Sequence, residues 1–96
     1  MVRFDWDDEK AISNLEKHGV SFGEATEVFY DPYALEDYDT RHSTSESRFV
    51  IIGLSSHRLL YVIYAERTAD IIRMISARKA NKSEQRFYER TRTLNL

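Results

Sequence analysis

The sequence predicts an α+β domain in which a small antiparallel sheet follows N-terminal helices and precedes a C-terminal helix. Three consecutive stretches, residues 48–54, 59–66 and 70–78, are rich in Val, Ile, Leu and Tyr and are joined by short polar connections, the pattern of a strand meander. Upstream, residues 8–18 and 22–30 carry apolar side chains at helical spacing behind capping residues. The 96 residues, 42% hydrophobic and 31% charged, suffice for one folded core and leave no room for a second domain.

Residues 2–6 alternate apolar and polar side chains and open the chain as a short strand. Asp7 then caps a helix whose first turn holds Asp8 and Glu9, where acids meet the positive end of the helix dipole. Gly19 stops this helix after Lys17 or His18. At about 100° per residue, Ala11, Ile12 and Leu15 form an apolar stripe expected to face the core, and Lys10, Asn14, Lys17 and His18 share the adjoining sector. That sector reads either as a solvated face or as a basic ridge. Ser21 and Glu24 have capping-box spacing, and Phe22, Ala25, Val28 and Phe29 give a second short helix its apolar face. Asp31-Pro32 ends it, because proline disfavours helical geometry in the residue before it. Residues 33–47 read as an exposed acidic loop with one short strand near residues 34–37. After the meander, Asn81 and Glu84 repeat the cap spacing and open a last helix to about residue 92, anchored by Phe87 and Tyr88.

Composition excludes several functions. Cysteine is absent, which removes disulfide scaffolds, thiolate zinc sites and cysteine nucleophiles. No apolar run approaches the ~20 residues that cross a bilayer, and residues 1–6 lack a signal peptide's basic and apolar regions, so a cytoplasmic protein with no membrane partner is expected. The formal net charge of −2 hides an asymmetry: residues 1–48 hold five basic and twelve acidic residues, residues 49–96 nine basic and four acidic. Such polarity points either to a polyanion surface on one side or to a dipolar fold whose halves attract.

Chemistry-bearing residues are few. Gly19, Gly23 and Gly53 are too scattered to cradle a phosphate, and His18, His42 and His57 have no zinc-ligand spacing. Asp37, Asp39 and His42 could approach a metal, but an acidic loop is more simply solvated; no cofactor is expected. The last strand is more informative, because Arg73 and Arg78 alternate with apolar residues on it, and an unpaired buried charge is costly. Each arginine alone reads as a structural ion pair with Glu66 or Asp70. Taken together, Arg67, Arg73, Arg78 and Lys79 read as an anion-facing cluster, since guanidinium groups fork onto phosphate oxygens and stay charged. Such a cluster can cleave RNA without metal: the 2′-hydroxyl supplies the nucleophile, and the protein orients it and stabilises the phosphorane. His18, His42 and Glu66 are the candidates for proton transfer.

Phe4-Asp5-Trp6-Asp7, the run Asn14 to Phe22 with Lys17-His18-Gly19-Val20-Ser21-Phe22, Tyr64-Ala65-Glu66-Arg67 and Arg73-Met74-Ile75-Ser76-Ala77-Arg78-Lys79-Ala80 together resemble the BrnT toxin family, in the same order and over nearly the whole chain. The resemblance implies a RelE-like fold and a metal-independent endoribonuclease toxin of a bacterial type II toxin–antitoxin system. It implies a BrnA-type antitoxin that neutralises the toxin and, as a complex with it, binds operator DNA. On this likeness Arg67, Arg78, His18 and Glu66 are the expected catalytic residues, and Lys17, Arg73, Ser76 and Lys79 the expected RNA contacts. The connection Ser56-His57-Arg58 departs from the glycine-containing turn expected in relatives, so different local geometry is expected there. Two other readings stand beside the nuclease: a non-catalytic module whose basic C-terminal segment binds an acidic partner or DNA, and a degenerate toxin that binds antitoxin without cutting RNA. For the antitoxin interface, Tyr30, Tyr33, Tyr38 and Phe87 are the aromatic candidates, with Phe87 expected to pack in the core.

Overall fold

A computed structural model describes residues 2–39 and 47–94. In chain order the elements are β1 (Arg3–Asp5), α1 (Asp8–His18), α2 (Phe22–Thr26) continued by a 3₁₀ turn (Glu27–Tyr30), β2 (Leu35–Tyr38), β3 (Arg48–Leu54), β4 (Leu59–Thr68), β5 (Ile71–Lys79) and α3 (Lys82–Leu94). The expected α+β architecture is present, with the meander β3–β4–β5 at its centre and sheet order β1-β5-β4-β3-β2. The sheet differs from the expected antiparallel one at a single place. β1 joins β5 in parallel, with Arg3 opposite Ile71 and Asp5 opposite Arg73, which makes the sheet mixed.

The core lies on one face of this sheet. Phe49 and Ile51 of β3, Leu60, Val62 and Tyr64 of β4, and Met74 and Ala77 of β5 meet Val20, Phe22, Ala25 and Val28 from α2 and its flanks. A chain of ring contacts crosses this face from β1 to β2: Phe4 to Phe29, Phe29 to Tyr64, Tyr64 to Phe49, and Phe49 to Tyr38, with centroids 4.9–5.5 Å apart. The phenol of Tyr64 donates to the Glu36 carboxylate, and burial followed by that carboxylate pushes its pKa far above the ordinary range.

Helix α1 begins and ends as its sequence dictates. The Asp7 carboxylate accepts from the N–H groups of Glu9 and Lys10, and Gly19 closes the other end at φ 69°, a left-handed conformation that favours glycine. Its rotation is not the expected one. Ile12 and Leu15 of the presumed core stripe are 60% and 51% exposed, while Asn14 of the polar sector is buried. The reason is the sheet edge that α1 covers. β1 pairs only with residues 71–73 of β5, so the remaining edge of β5 presents bare peptide groups, and a polar side chain satisfies them where an apolar one would not.

Two short connections also use charge. In the turn after β3, Ser55 Oγ accepts from the N–H groups of His57 and Arg58, so no glycine is needed to reverse the chain. Arg58 then forks onto Glu24 at 2.9 and 3.0 Å and donates to the Gly19 carbonyl at 2.8 Å, tying this hairpin to α1 and α2. Glu24 consequently does not complete the capping box with Ser21; only the Ser21 half forms. In α3 the box is complete, because Asn81 and Glu84 exchange side-chain-to-backbone bonds of 2.8 Å each way. Tyr88 anchors α3, fully buried with its hydroxyl 2.6 Å from Asp31 Oδ2. Phe87 is 49% exposed, which corrects its expected place in the core: successive helical residues point about 100° apart, and Tyr88 takes the inward position.

Candidate active site

A small cleft runs between α1 and the far half of β5, lined by Lys10, Ser13, Asn14, Lys17, His18, Ile75 and Ser76 with a volume of about 180 Å³. Helical spacing stacks Lys10, Asn14 and Lys17 along one side of α1, with His18 in the last turn. Asn14 holds this side to the strand. Its amide donates to the Ala77 carbonyl at 2.8 Å and accepts from the Ala77 N–H at 3.1 Å, and it also donates to the Val20 carbonyl at 2.9 Å. On the strand side the register shifts between Ile63 and Tyr64: Ser76 faces Ile63 and Met74 faces Tyr64, so Ile75 is an extra residue in β5. Such bulges bend a strand and re-aim the residues beside them, and here the bulge borders the cleft.

Charge in the cleft is unbalanced. Among the described residues, the side chains of Lys10, Lys17 and His18 form no hydrogen bond or ion pair, and no carboxylate lines the cleft. Three arginines elsewhere are already matched. Arg58 is paired with Glu24, Arg73 approaches Asp5 at 3.5 Å, and Arg78 forks onto Glu84 at 2.9 and 2.8 Å. The partners expected for Arg73 and Arg78 were Glu66 or Asp70; β1 brings Asp5 beside Arg73, and the first turn of α3 brings Glu84 beside Arg78. The Glu84 bond holds the Arg78 guanidinium even further above its ordinary range, and the same guanidinium lies 4.0 Å over the Tyr61 ring. About a third of the Arg78 side chain is still open to solvent.

The eight residues expected at the site do not form one cluster. Lys17, His18 and Ser76 come together in the cleft. Arg73 and Arg78 flank Ser76 along β5. Arg67 is the extra residue of a second irregularity, between Glu66 opposite Ile72 and Thr68 opposite Ile71, and both Glu66 and Arg67 are exposed there. Arg78 pairs across from Tyr61, six residues from Arg67 along β4, or roughly 20 Å at about 3.3 Å per residue. Arg67 and Arg78 therefore mark opposite ends of the strand, with Ser76 between them. Lys79 is exposed at the end of β5. Lys10 was not singled out as a site residue although its seven-residue spacing from Lys17 puts both on one stripe; that spacing was the available signal. Glu84 was legible only as a helix cap. His42 lies outside the described residues, and among those described no three His, Asp or Glu side chains gather as a metal site.

The sequence model of a family described as ribonuclease toxin, BrnT, of type II toxin–antitoxin system matches residues 6–84. The chain belongs to the BrnT family. Its fold agrees with the crystal structure of the Brucella abortus ribonuclease toxin BrnT, determined at 1.1 Å resolution. That match has a TM-score of 0.65 at 23% identity and covers 85% of this chain and all of that one. No curated protein matches the sequence. The BrnT match spans every element from α1 to β5, so the α1–β5 cleft lies wholly inside the family region, while most of α3 lies beyond it. Type II toxins are defined with an antitoxin, so membership implies such a partner for this chain. Among the described residues no helix is long and apolar enough to cross a membrane.

Proposed function

We propose that this BrnT-family chain is a cytoplasmic endoribonuclease toxin that cuts RNA without metal by attack of the 2′-hydroxyl. The observation that carries this reading is the α1–β5 cleft, where Lys10, Lys17 and His18 meet Ser76 with no carboxylate among the described residues to neutralise them. A phosphodiester seated there brings the charge the cleft lacks. His18 removes the proton from the 2′-hydroxyl, whose oxygen attacks phosphorus. The lysine ammonium groups and the Ser76 hydroxyl stabilise the phosphorane dianion. The 5′-oxygen leaves with a proton from water, giving a 2′,3′-cyclic phosphate and a 5′-hydroxyl. Arg73 and Arg67 on one side of Ser76, and Arg78 and Lys79 on the other, grip the RNA strand along β5. Arg78 does so with the exposed part of a guanidinium that Glu84 holds in place. Glu66 acts as an orienting group for Arg67 at the far end. A BrnA-type antitoxin neutralises the toxin, and their complex contacts operator DNA through the antitoxin.

The test is RNA cleavage by the purified protein in excess EDTA, with product ends analysed and variants checked for folding. His18→Ala and Lys17→Ala are expected to lose about 100-fold or more in kcat, in the range typical of positioned acid–base groups. Arg67→Ala should act mainly on KM. Full activity in both cleft variants would overturn the site, and 3′-phosphate or 3′-hydroxyl ends would overturn the mechanism. If free RNA is not cut, the same comparison on translating ribosomes decides.

A further inference from the structure

The outward side of α3 carries charge that the fold does not use. Lys82, Arg86 and Arg90 follow one another at four-residue steps, about 6 Å apart along the helix axis and each turned by only about 40° from the last, so they form one row. All three are exposed, and among the described residues their side chains form no hydrogen bond, ion pair or ring contact. The other side of α3 holds it to the sheet, through Glu84 on Arg78 and Tyr88 on Asp31. The row begins three residues after Lys79, where β5 ends, so exposed cations run on from the strand to the helix.

The two flanks of the row select its occupant. On one, Phe87 stands half-exposed beside Arg86 and Arg90. Proteins that hold single strands pair cations that track the phosphates with aromatic faces on which bases stack. A duplex fits less well, because its bases are already stacked and leave Phe87 no face to meet. A partner helix also fits less well: Ser83 and Arg90 interrupt Phe87 and Leu94 on that flank, so it offers no continuous apolar strip. On the other flank, Glu89 makes no ion pair with the row and lines a separate concavity with Arg58, Leu59, Lys79 and Gln85.

We propose that α3 is a second RNA contact: a single strand leaving the α1–β5 cleft past Arg78 and Lys79 lays its phosphates on Lys82, Arg86 and Arg90 and a base on Phe87. The proposal rests on the ribonuclease reading for the strand's path out of the cleft, and deepens it by giving the substrate a single-stranded flank. Arg86, Phe87 and Arg90 lie beyond the residues matched by the family, so this contact is a property of this chain and not of the family region.

The experiment titrates a 2′-O-methyl RNA dodecamer, which has no 2′-hydroxyl to attack, into the full chain at several salt concentrations while NMR follows the backbone amides. Shifts are expected at Lys82, Arg86, Phe87 and Arg90 as well as in the cleft. Arg86→Gln combined with Arg90→Gln keeps helix propensity and should weaken binding by about tenfold or more. It should also flatten the log–log salt slope by about 1.4, two phosphate contacts at about 0.7 each. Phe87→Leu should weaken binding by about tenfold and Phe87→Trp should restore it, which an apolar contact without stacking would not require. All these positions are exposed, and thermal midpoints check that the variants fold. RNA shifts that stop at Lys79, an unchanged salt slope in the double variant, or a Phe87→Leu variant that binds like the parent would overturn the proposal. So would a polyglutamate peptide that moves the same α3 amides at equal or lower concentration, which would make the row a dock for an acidic protein. RNA held on α3 by a protein that cuts none, free or on ribosomes, supports this inference and counts against the nuclease reading alone; cleavage by a protein whose α3 the RNA never touches does the reverse.

Discussion

The side chain of Asn14 pairs with both peptide groups of Ala77, donating to its carbonyl at 2.8 Å and accepting from its N–H at 3.1 Å. One amide thus stands in for a neighbouring strand where β1 has ended. It also sets the rotation of α1, and through it the direction in which Lys10, Lys17 and His18 face β5.

Asn14→Ala should destabilise the protein by about 2–3 kcal/mol, since it strands a buried N–H and a buried carbonyl at Ala77. Asn14→Asp should be little better, because a carboxylate can accept from the Ala77 N–H but cannot donate to the carbonyls of Ala77 and Val20. Denaturant midpoints at unchanged m-value check this. Hydrogen exchange at Ala77 should accelerate in both variants beyond the global effect.

Gly53 allows the sheet to pack on the 3₁₀ turn. A Cβ at this position would meet the Val28 Cβ at 3.0 Å, the Val28 carbonyl oxygen at 3.1 Å and the Ala34 Cβ at 3.2 Å. Two of these neighbours are β-carbons fixed to the backbone and one is backbone itself, so none yields cheaply. Gly53→Ala is expected to cost about 1–3 kcal/mol by overpacking, read as a lower thermal midpoint. Gly23→Ala, whose added Cβ meets nothing closer than 3.8 Å, is the control that should not.

The fold was legible where local signals act alone. Asp7 and Gly19 bound α1 as their caps require, and β3 occupies the run read for it. What escaped the sequence is long-range. Nothing in Arg3–Asp5 says that these residues pair in parallel with β5, and without that pairing the bare edge of β5 is invisible. The rotation of α1 follows from that edge, so the stripe of Ile12 and Leu15 misleads while Asn14 turns inward. The candidate site is half legible for the same reason. Lys17, His18 and Ser76 were named and do meet, but the ion pairs of Arg73 with Asp5 and Arg78 with Glu84 depend on which elements become neighbours in space.

Asp31 couples the 3₁₀ turn, β3 and α3, and this coupling should be pH-dependent. Burial pushes its carboxyl up, yet bonds to the charged form from Tyr88, Leu54 and Tyr33 outweigh this and leave it below its ordinary value of 3.8. A carboxyl depressed by folding stabilises the protein above its unfolded pKa, and that stability is lost as pH falls through the folded value. Tyr88 behaves oppositely: burial, then Asp31, raises its pKa above the ordinary 10.0, so its contribution is whole below that value and fades at more alkaline pH. Thermal midpoints should plateau between these limits and fall on the acid side below about pH 4. Tyr88→Phe should cost about 1–2 kcal/mol of stability across the plateau and move the acid limb upward, because Asp31 keeps only its backbone donors.

Arg78 and Glu84 permit stability and activity to be separated. The Glu84 carboxyl is pushed up by burial and brought below its ordinary value by Arg78 and the Asn81 N–H. Arg78→Met alone leaves that carboxylate half-satisfied and should cost about 1–3 kcal/mol. Adding Glu84→Gln removes the stranded charge while an amide oxygen can still accept from Asn81, so most of the loss should return. Cleavage should not return with it. Arg78 grips the RNA strand, so the double variant should keep kcat/KM about 10- to 100-fold below the parent despite its restored thermal midpoint, in the range of one charge-assisted hydrogen bond. Recovery of both stability and cleavage would make Arg78 a purely structural partner of α3 and leave the chemistry to Lys10, Lys17, His18 and Ser76.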